Sequence, residues 1–298
     1  MTEPARQIRD GNLRALARTA TGIENRDPQA LAALRELAPF AGQARVVGIT
    51  GPPGAGKSTL VDALATALRR DGKTLAILAV DPTSGISGGA ILGDRIRMQQ
   101  HHADPGIFIR SMATRGSLGG LARATADLAQ LMDAAGKDYV LIETVGVGQA
   151  EIAIANLAQV TVVVLVPGMG DDVQAIKAGI LEIADIFAIN KSDQPGADRV
   201  EQELQAMLSL ADGRKPAIVK TVATTGAGIA DLLEAIHTAP ARSAAAPARP
   251  IGLRVTNLSE AVASFRSAGA RIESGPEGQV IVEPPSGALL ELIPEAKH

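Results

Sequence analysis

The stretch Gly51-Pro52-Pro53-Gly54-Ala55-Gly56-Lys57-Ser58 constrains this chain more than any other. It fits G-x-x-x-x-G-K-[ST], with an apolar β-branched run before it (45–50) and an amphipathic run after it (57–70). That context predicts a strand, a glycine-rich loop and a helix. The glycines let backbone N–H groups converge on phosphate oxygens, and the positive end of the following helix adds to their field. Lys57 supplies a point charge for the β- and γ-phosphates, Ser58 offers a hydroxyl to Mg²⁺, and Thr59 completes the nucleotide-binding run.

Around this loop, short apolar runs alternate with longer amphipathic ones. The strand candidates are 45–50, 74–80, 107–110, 139–143, 160–166, 185–190 and 217–223. The helix candidates are 57–70, 121–135, 174–183, 200–210 and 229–237. The strands are almost continuously apolar, as expected where helices cover both sheet faces. The alternation therefore predicts an α/β fold, a doubly wound and mostly parallel sheet. Ahead of it, residues 13–40 read as helical, with Leu13, Leu16, Ala17 and Ala20, then Leu31, Leu34 and Leu37 after Pro28.

Composition changes after His237. Residues 239–250 (APARSAAAPARP) lack apolar periodicity and read as a semi-rigid linker. A strand (251–255), a helix (259–268) and two further strands (279–283 and 288–293) follow, giving a small α+β unit of βαβββ type. The expected organisation is a helical extension over 1–42, a P-loop domain over 43–238, the linker over 239–250 and the small module over 251–298.

The 298 residues carry a net charge of −3, 2 % aromatics and no cysteine. Absent cysteine excludes disulfide scaffolds, thiol nucleophiles and Cys-ligated metal sites. Scarce aromatics and near-neutral charge argue against a nucleic-acid partner. The start, Met1-Thr-Glu-Pro-Ala-Arg, is too polar for a signal segment, and apolar runs such as 160–166 are too short to span a bilayer. A cytoplasmic protein with no membrane contact is expected.

Base preference comes from Asn190-Lys191-Ser192-Asp193, directly after a strand candidate. In an N-K-x-D tetrad the Asp193 carboxylate accepts from N1 and the exocyclic amine of guanine, a donor pair that adenine lacks. Lys191 can lie along the base and Asn190 can brace the loop. Ala223, Thr224 and Thr225, at the end of a later strand candidate, can complete the pocket with backbone donors. GTP is favoured over ATP. Glu143 ends the strand candidate 139–143, where P-loop enzymes place the carboxylate that serves Mg²⁺. Asp81, ending another strand, and Asp94, in Gly93-Asp94-Arg95, are further acids of the region. Arg110 and Arg115 are candidates for an arginine acting at the γ-phosphate, although roles away from the phosphate suit them better. His101, His102, His237 and His298 show no metal-ligand spacing, and His101-His102 reads as an exposed pair near Pro105.

With these residues in view, the chain resembles the methylmalonyl-CoA mutase-associated GTPases of the MeaB/ArgK type, in the SIMIBI class of P-loop proteins. The segments that carry the likeness are GPPGAGKST (51–59), VDPTSGISGGAILGDRIRM (80–98), SMATRGSLGGLARAT (111–125), ETVGVGQAE (143–151), PGMGDDVQAIKAGILEIADIFAINKSD (167–193) and VATTGAGI (222–229), within about residues 8–238. The resemblance implies that Asp81, Asp94 and Glu143 surround Mg²⁺ with Ser58, and that Lys57, Glu143 and Asp81 carry catalysis. It implies switches at about 81–98, 144–152 and 168–177, with Asp171, Gln174 and Lys177 relaying partner contact to the nucleotide. It further implies a chaperone that hydrolyses GTP to GDP, gates adenosylcobalamin loading and protects an adenosylcobalamin-dependent acyl-CoA mutase. Slow intrinsic turnover, accelerated by a partner, is expected.

Members of that family usually end in a helical dimerisation arm. Here residues 251–298 instead resemble one βαβββ module of the glyoxalase-like superfamily, akin to half of methylmalonyl-CoA epimerase. Glu291 falls where that superfamily places a carboxylate ligand, but Pro250 stands where its histidine ligand would be, so a working epimerase site is not expected. The corresponding expectation is that this module pairs with a second copy, giving a homodimer, or with a partner, in place of the missing arm. Other readings are a metal-insertion GTPase, which absent cysteine disfavours, a transport-associated NTPase, and a GTP-dependent scaffold whose C-terminal module binds an acyl-CoA.

Overall fold

A computed structural model describes residues 1–81, 101, 103–113, 118–144, 157–168, 183–210, 215–242, 251–255, 257–267, 270–274, 280–283 and 290–294. The chain divides into two compact units, Met1–Ala244 and Ala245–His298.

The first unit is built on β1 (Arg45–Thr50), β2 (Leu75–Asp81), β3 (Ile107–Ala113), β4 (Tyr139–Thr144), β5 (Val160–Leu165), β6 (Ile186–Ile189) and β7 (Ala217–Lys220). They form one sheet in the order β3-β2-β4-β1-β5-β6-β7. Every pair in it is parallel. β1 thus lies between β4 and β5, with Ile49 opposite both Glu143 and Val162. The expected doubly wound sheet is the observed one, and its switch point falls at β1, where such sheets bind ligands at their carboxyl ends.

Helices cover both faces. α4 (Lys57–Arg70) and α7 (Ile229–Thr238) bury Leu60, Leu64, Leu232 and Ile236 against Val47, Ile49, Val162 and Val164. The opposite face carries α5 (Leu118–Ala134) and α6 (Ala197–Leu210), together with a helical cap of α1 (Glu3–Arg9), α2 (Leu13–Glu24) and α3 (Pro28–Leu37). Successive strand residues therefore meet different helices, which is why the runs read as continuously apolar rather than alternating. Each side chain fully buried in this way, such as Leu37 or Phe187, contributes about 1.5–3 kcal/mol.

The cap has one helix more than the apolar spacing from residue 13 predicts. α1 begins with Glu3 and Pro4 in its first turn and buries Ala5 and Ile8. Asn12 caps α2 by accepting from the N–H groups of Arg14 and Ala15, and Asp27 caps α3, where Pro28 occupies the first position. Asp133 of α5 accepts from the backbone N–H groups of Gly42, Gln43 and Ala44 at 2.5, 3.0 and 2.8 Å. This bond set fixes the entry into β1 beneath the cap.

The second unit has β8 (Ile251–Val255), α8 (Leu258–Ser267), β9 (Arg271–Ser274), β10 (Val280–Glu283) and β11 (Leu290–Pro294). Its sheet has the order β8-β11-β10-β9, with β8 and β11 parallel and the other pairs antiparallel. This is the expected βαβββ pattern, and β9 is the strand that completes it. Val282 and Leu292 form the buried centre. Among the described residues, no helix is long and apolar enough to cross a membrane.

Candidate functional site

The P-loop leaves β1 at Thr50 and turns sharply at Gly51, whose φ is +140°. A Cβ there would sit 2.3 Å from the carbonyl oxygen of Val164, so the loop passes directly over the neighbouring strand. Gly56, at φ +85°, caps α4 and leaves the first-turn N–H groups of that helix facing outward from the sheet's carboxyl edge. Lys57 is buried, and its ammonium donates to the carbonyls of Gly51 at 2.7 Å and Pro52 at 3.0 Å. The charge is thereby held over the loop.

Ser58 and Glu143 meet across the β1–β4 pair. The Ser58 hydroxyl donates to Glu143 Oε1 at 2.5 Å. Glu143 is only 2 % exposed, and beside it Thr144 donates to Thr50 at 3.1 Å. A hydroxyl and a nearly buried carboxylate at a helix start form a hard oxygen pair suited to a divalent cation.

Asn190 joins three segments. It is 2 % exposed, its amide nitrogen donates to the Ala55 carbonyl at 2.9 Å, and its Oδ1 accepts from the Ala223 N–H at 3.1 Å and the Thr221 hydroxyl at 3.3 Å. Lys191 adopts φ +54°, and its ammonium reaches the Gly54 carbonyl at 3.0 Å, so its stem lies across the P-loop. Asp193 is exposed beside it. The phosphate loop, the N-K-x-D turn and residues 221–225 therefore converge at one edge of the sheet.

Two expectations need correction. β7 ends at Lys220, and Ala223, Thr224 and Thr225 lie in the turn that follows it. Of their amides, Ala223 donates to Asn190 and Thr225 to the Val222 carbonyl at 3.0 Å, whereas Thr224 makes no bond among the described residues and is exposed. Thr224 is thus the one with a donor to spare. Arg110 has the role away from the phosphate that suits it better: its guanidinium grips Glu24 of α2 at 2.9 and 2.6 Å and Thr21 at 3.1 Å. His101 is buried rather than exposed, with Nε2 2.9 Å from Asp62 Oδ1 on α4. Asp81 ends β2, but its side chain lies outside the described residues, as do Asp94, Arg115, Asp171, Gln174, Lys177, His102 and His298. A groove of about 670 Å³ between α4 and α7 touches residues 223–226 but none of residues 51–58, so it flanks the site.

Residues 16–248 match the family described as methylmalonyl Co-A mutase-associated GTPase MeaB. The chain belongs to this family. A relative of this MeaB-type GTPase in Pyrococcus horikoshii, itself named a GTPase, is 52 % identical over 236 residues, covering 77 % of this chain and 74 % of the relative. The GTPase ArgK of Escherichia coli is 37 % identical over 247 residues, covering 79 % and 75 %. A solved structure named LAO/AO transport system kinase is similar with a TM-score of 0.63 and 30 % identity, covering 79 % of this chain and 73 % of that one. The sequence-based resemblance of the first unit and the P-loop GTPase fold are both borne out.

Proposed function

We propose that this MeaB-family GTPase binds GTP with Mg²⁺ at the convergent edge, hydrolyses it to GDP, and uses the cycle to serve an adenosylcobalamin-dependent acyl-CoA mutase. The observation that carries the nucleotide reading is Asn190, which ties the base-reading turn to the phosphate loop at Ala55 and to Ala223. In this reading Asp193 accepts from guanine, Lys191 lies along the base, Thr224 donates to it, and residues 51–59 hold the phosphates.

Ser58 and Glu143 would hold Mg²⁺, with Asp81 and Asp94 as further acids of its surroundings. The bound cation supplies charge against the phosphate oxygens. Lys57 adds its charge from the buried side, released from the Gly51 and Pro52 carbonyls toward the β- and γ-phosphates. Glu143, held at the strand end, keeps the Ser58 hydroxyl aligned. With Arg110 committed to Glu24, slow intrinsic hydrolysis is expected, rising when a partner orders the switches around Asp171, Gln174 and Lys177.

The family's description supports the mutase as partner. The C-terminal unit is read as a glyoxalase-like half module, and a homodimer formed through it and a cytoplasmic location belong to the same proposal. The test is purified full-length protein with GTP or ATP, with and without a cobalamin-dependent acyl-CoA mutase. GTP-selective hydrolysis stimulated by the mutase is expected. ATP turnover at an equal rate would overturn the nucleotide reading, and GTP turnover indifferent to the mutase would overturn the partner.

A further inference from the structure

At the edge of the sheet opposite the candidate pocket, two arginines bind the lower ends of the elements that form it. Arg45, the first residue of β1, donates to the Ile236 carbonyl at 3.3 and 2.8 Å and to the Ala239 carbonyl. These are the last carbonyls of α7, which a guanidinium both satisfies and complements electrostatically. Arg242 follows. Its backbone N–H donates to the Gln159 carbonyl at 3.0 Å, and its guanidinium reaches Asp185 Oδ2 at 2.9 Å and the Thr161 hydroxyl. Asp185 is 5 % exposed and also accepts from the Thr161 N–H at 2.7 Å.

Each element held there ends in the pocket. β1 runs into Gly51, and β6, directly after Asp185, runs into Asn190. α7 runs back to Gly228, where a Cβ would sit 1.9 Å from the Lys220 carbonyl, so its start is seated hard on the end of β7. The turn carrying residues 223–225 is closed on itself by the bond from the Val222 N–H to Ala227 at 2.9 Å. The axial position of α7 relative to β6 therefore sets the distance between Thr224 and the 190–193 turn.

We propose that Arg242 and Asp185 are positioning residues for guanine recognition: their bond fixes α7 against β6 and holds the two base-reading turns at the spacing that guanine needs. Neither residue touches the nucleotide. This deepens the GTPase reading given above and rests on it.

The test uses the full-length chain and two probes, a fluorescent GDP and inorganic pyrophosphate, which engages only the phosphate loop. In Arg242→Ala, GDP release is expected to quicken by about tenfold, while pyrophosphate affinity stays at the wild-type value, since one charge-assisted bond is lost far from the P-loop. Arg242→Lys keeps a cation within reach of Asp185 and restores most of the slow release. Asp185→Asn reproduces the alanine effect, and the double variant adds nothing to it. Unchanged GDP release in Arg242→Ala overturns the proposal. So does a parallel fall in GDP affinity, pyrophosphate affinity and melting temperature, which marks the bond as support of the fold alone. A wild-type protein that binds pyrophosphate but not GDP overturns the guanine reading itself, so the two failures are distinguishable.

Discussion

Asn190 shows how much of a site one short side chain can hold. Its three bonds run to backbone and side-chain groups on two other segments, so that with its own turn it joins three, and it is almost fully buried. Asn190→Ala leaves the Ala223 N–H and the Ala55 carbonyl without their partner, and each buried polar group stranded in this way costs about 1–3 kcal/mol. Urea denaturation should show a loss of that order, together with weaker GTP binding. A variant as stable as wild type would mean that the three segments are held by something else. The role of Asn190 was legible in sequence because the tetrad names it. The positive φ of Lys191 and its reach to Gly54 were not, because a left-handed lysine leaves no spacing signal. The burial of His101 is illegible for a related reason: Asp62, the acid beside it, lies far off in sequence, and side-chain pairing across that distance follows only from the fold, as does the partner of Arg110, Glu24.

Among the elements, His101 and the segment 103–106 meet α4 at two points. His101 meets Asp62, and seven residues along the helix Arg69 grips Asp104 at 2.9 and 3.0 Å. Asp104 also accepts from the Gly106 N–H at 2.7 Å. The Arg69 bond above all, then the Gly106 bond, holds the Asp104 carboxyl below the usual aspartate range. A depressed carboxylate stabilises the folded state above its unfolded pKa and loses that contribution as pH falls through its folded value. Thermal melts of wild type and Asp104→Asn should therefore differ at neutral pH and converge as pH drops below about 4. Parallel curves down to strongly acid pH would show the pair to be inert. In the first unit, sequence periodicity located every described strand because both sheet faces are covered, and the ends differ by only a few residues. The helix candidate 174–183 lies almost wholly outside the described residues. Periodicity did not mark β9 in the second unit. It missed α1, which has just Ala5 and Ile8 to mark its buried side. A helix that short carries too few repeats for a 3.6-residue period to stand out.

The first unit carries three large hydrophobic clusters on the two faces of its sheet, whereas among the described residues of the second unit Val282 and Leu292 are the buried apolar side chains. Calorimetry should resolve two transitions. Saturating GTP and Mg²⁺ should raise only the larger, by about 2.7 kcal/mol of stability at a hundredfold excess over Kd. A single transition, or two that shift together, would show the units to unfold as one.

The placement of β1 has a consequence for how the chain is made. Its partners are β4 and β5, and neither exists until synthesis has passed residue 144 and then residue 165. At about 5–20 residues per second, β1 and the P-loop emerge from the ribosome and wait on the order of ten seconds before both neighbours are available. Through that interval the apolar run Val46-Val47-Gly48-Ile49 has both edges unpaired. The segment that defines this protein's chemistry is thus also the one most exposed to wrong partners while the protein is being born.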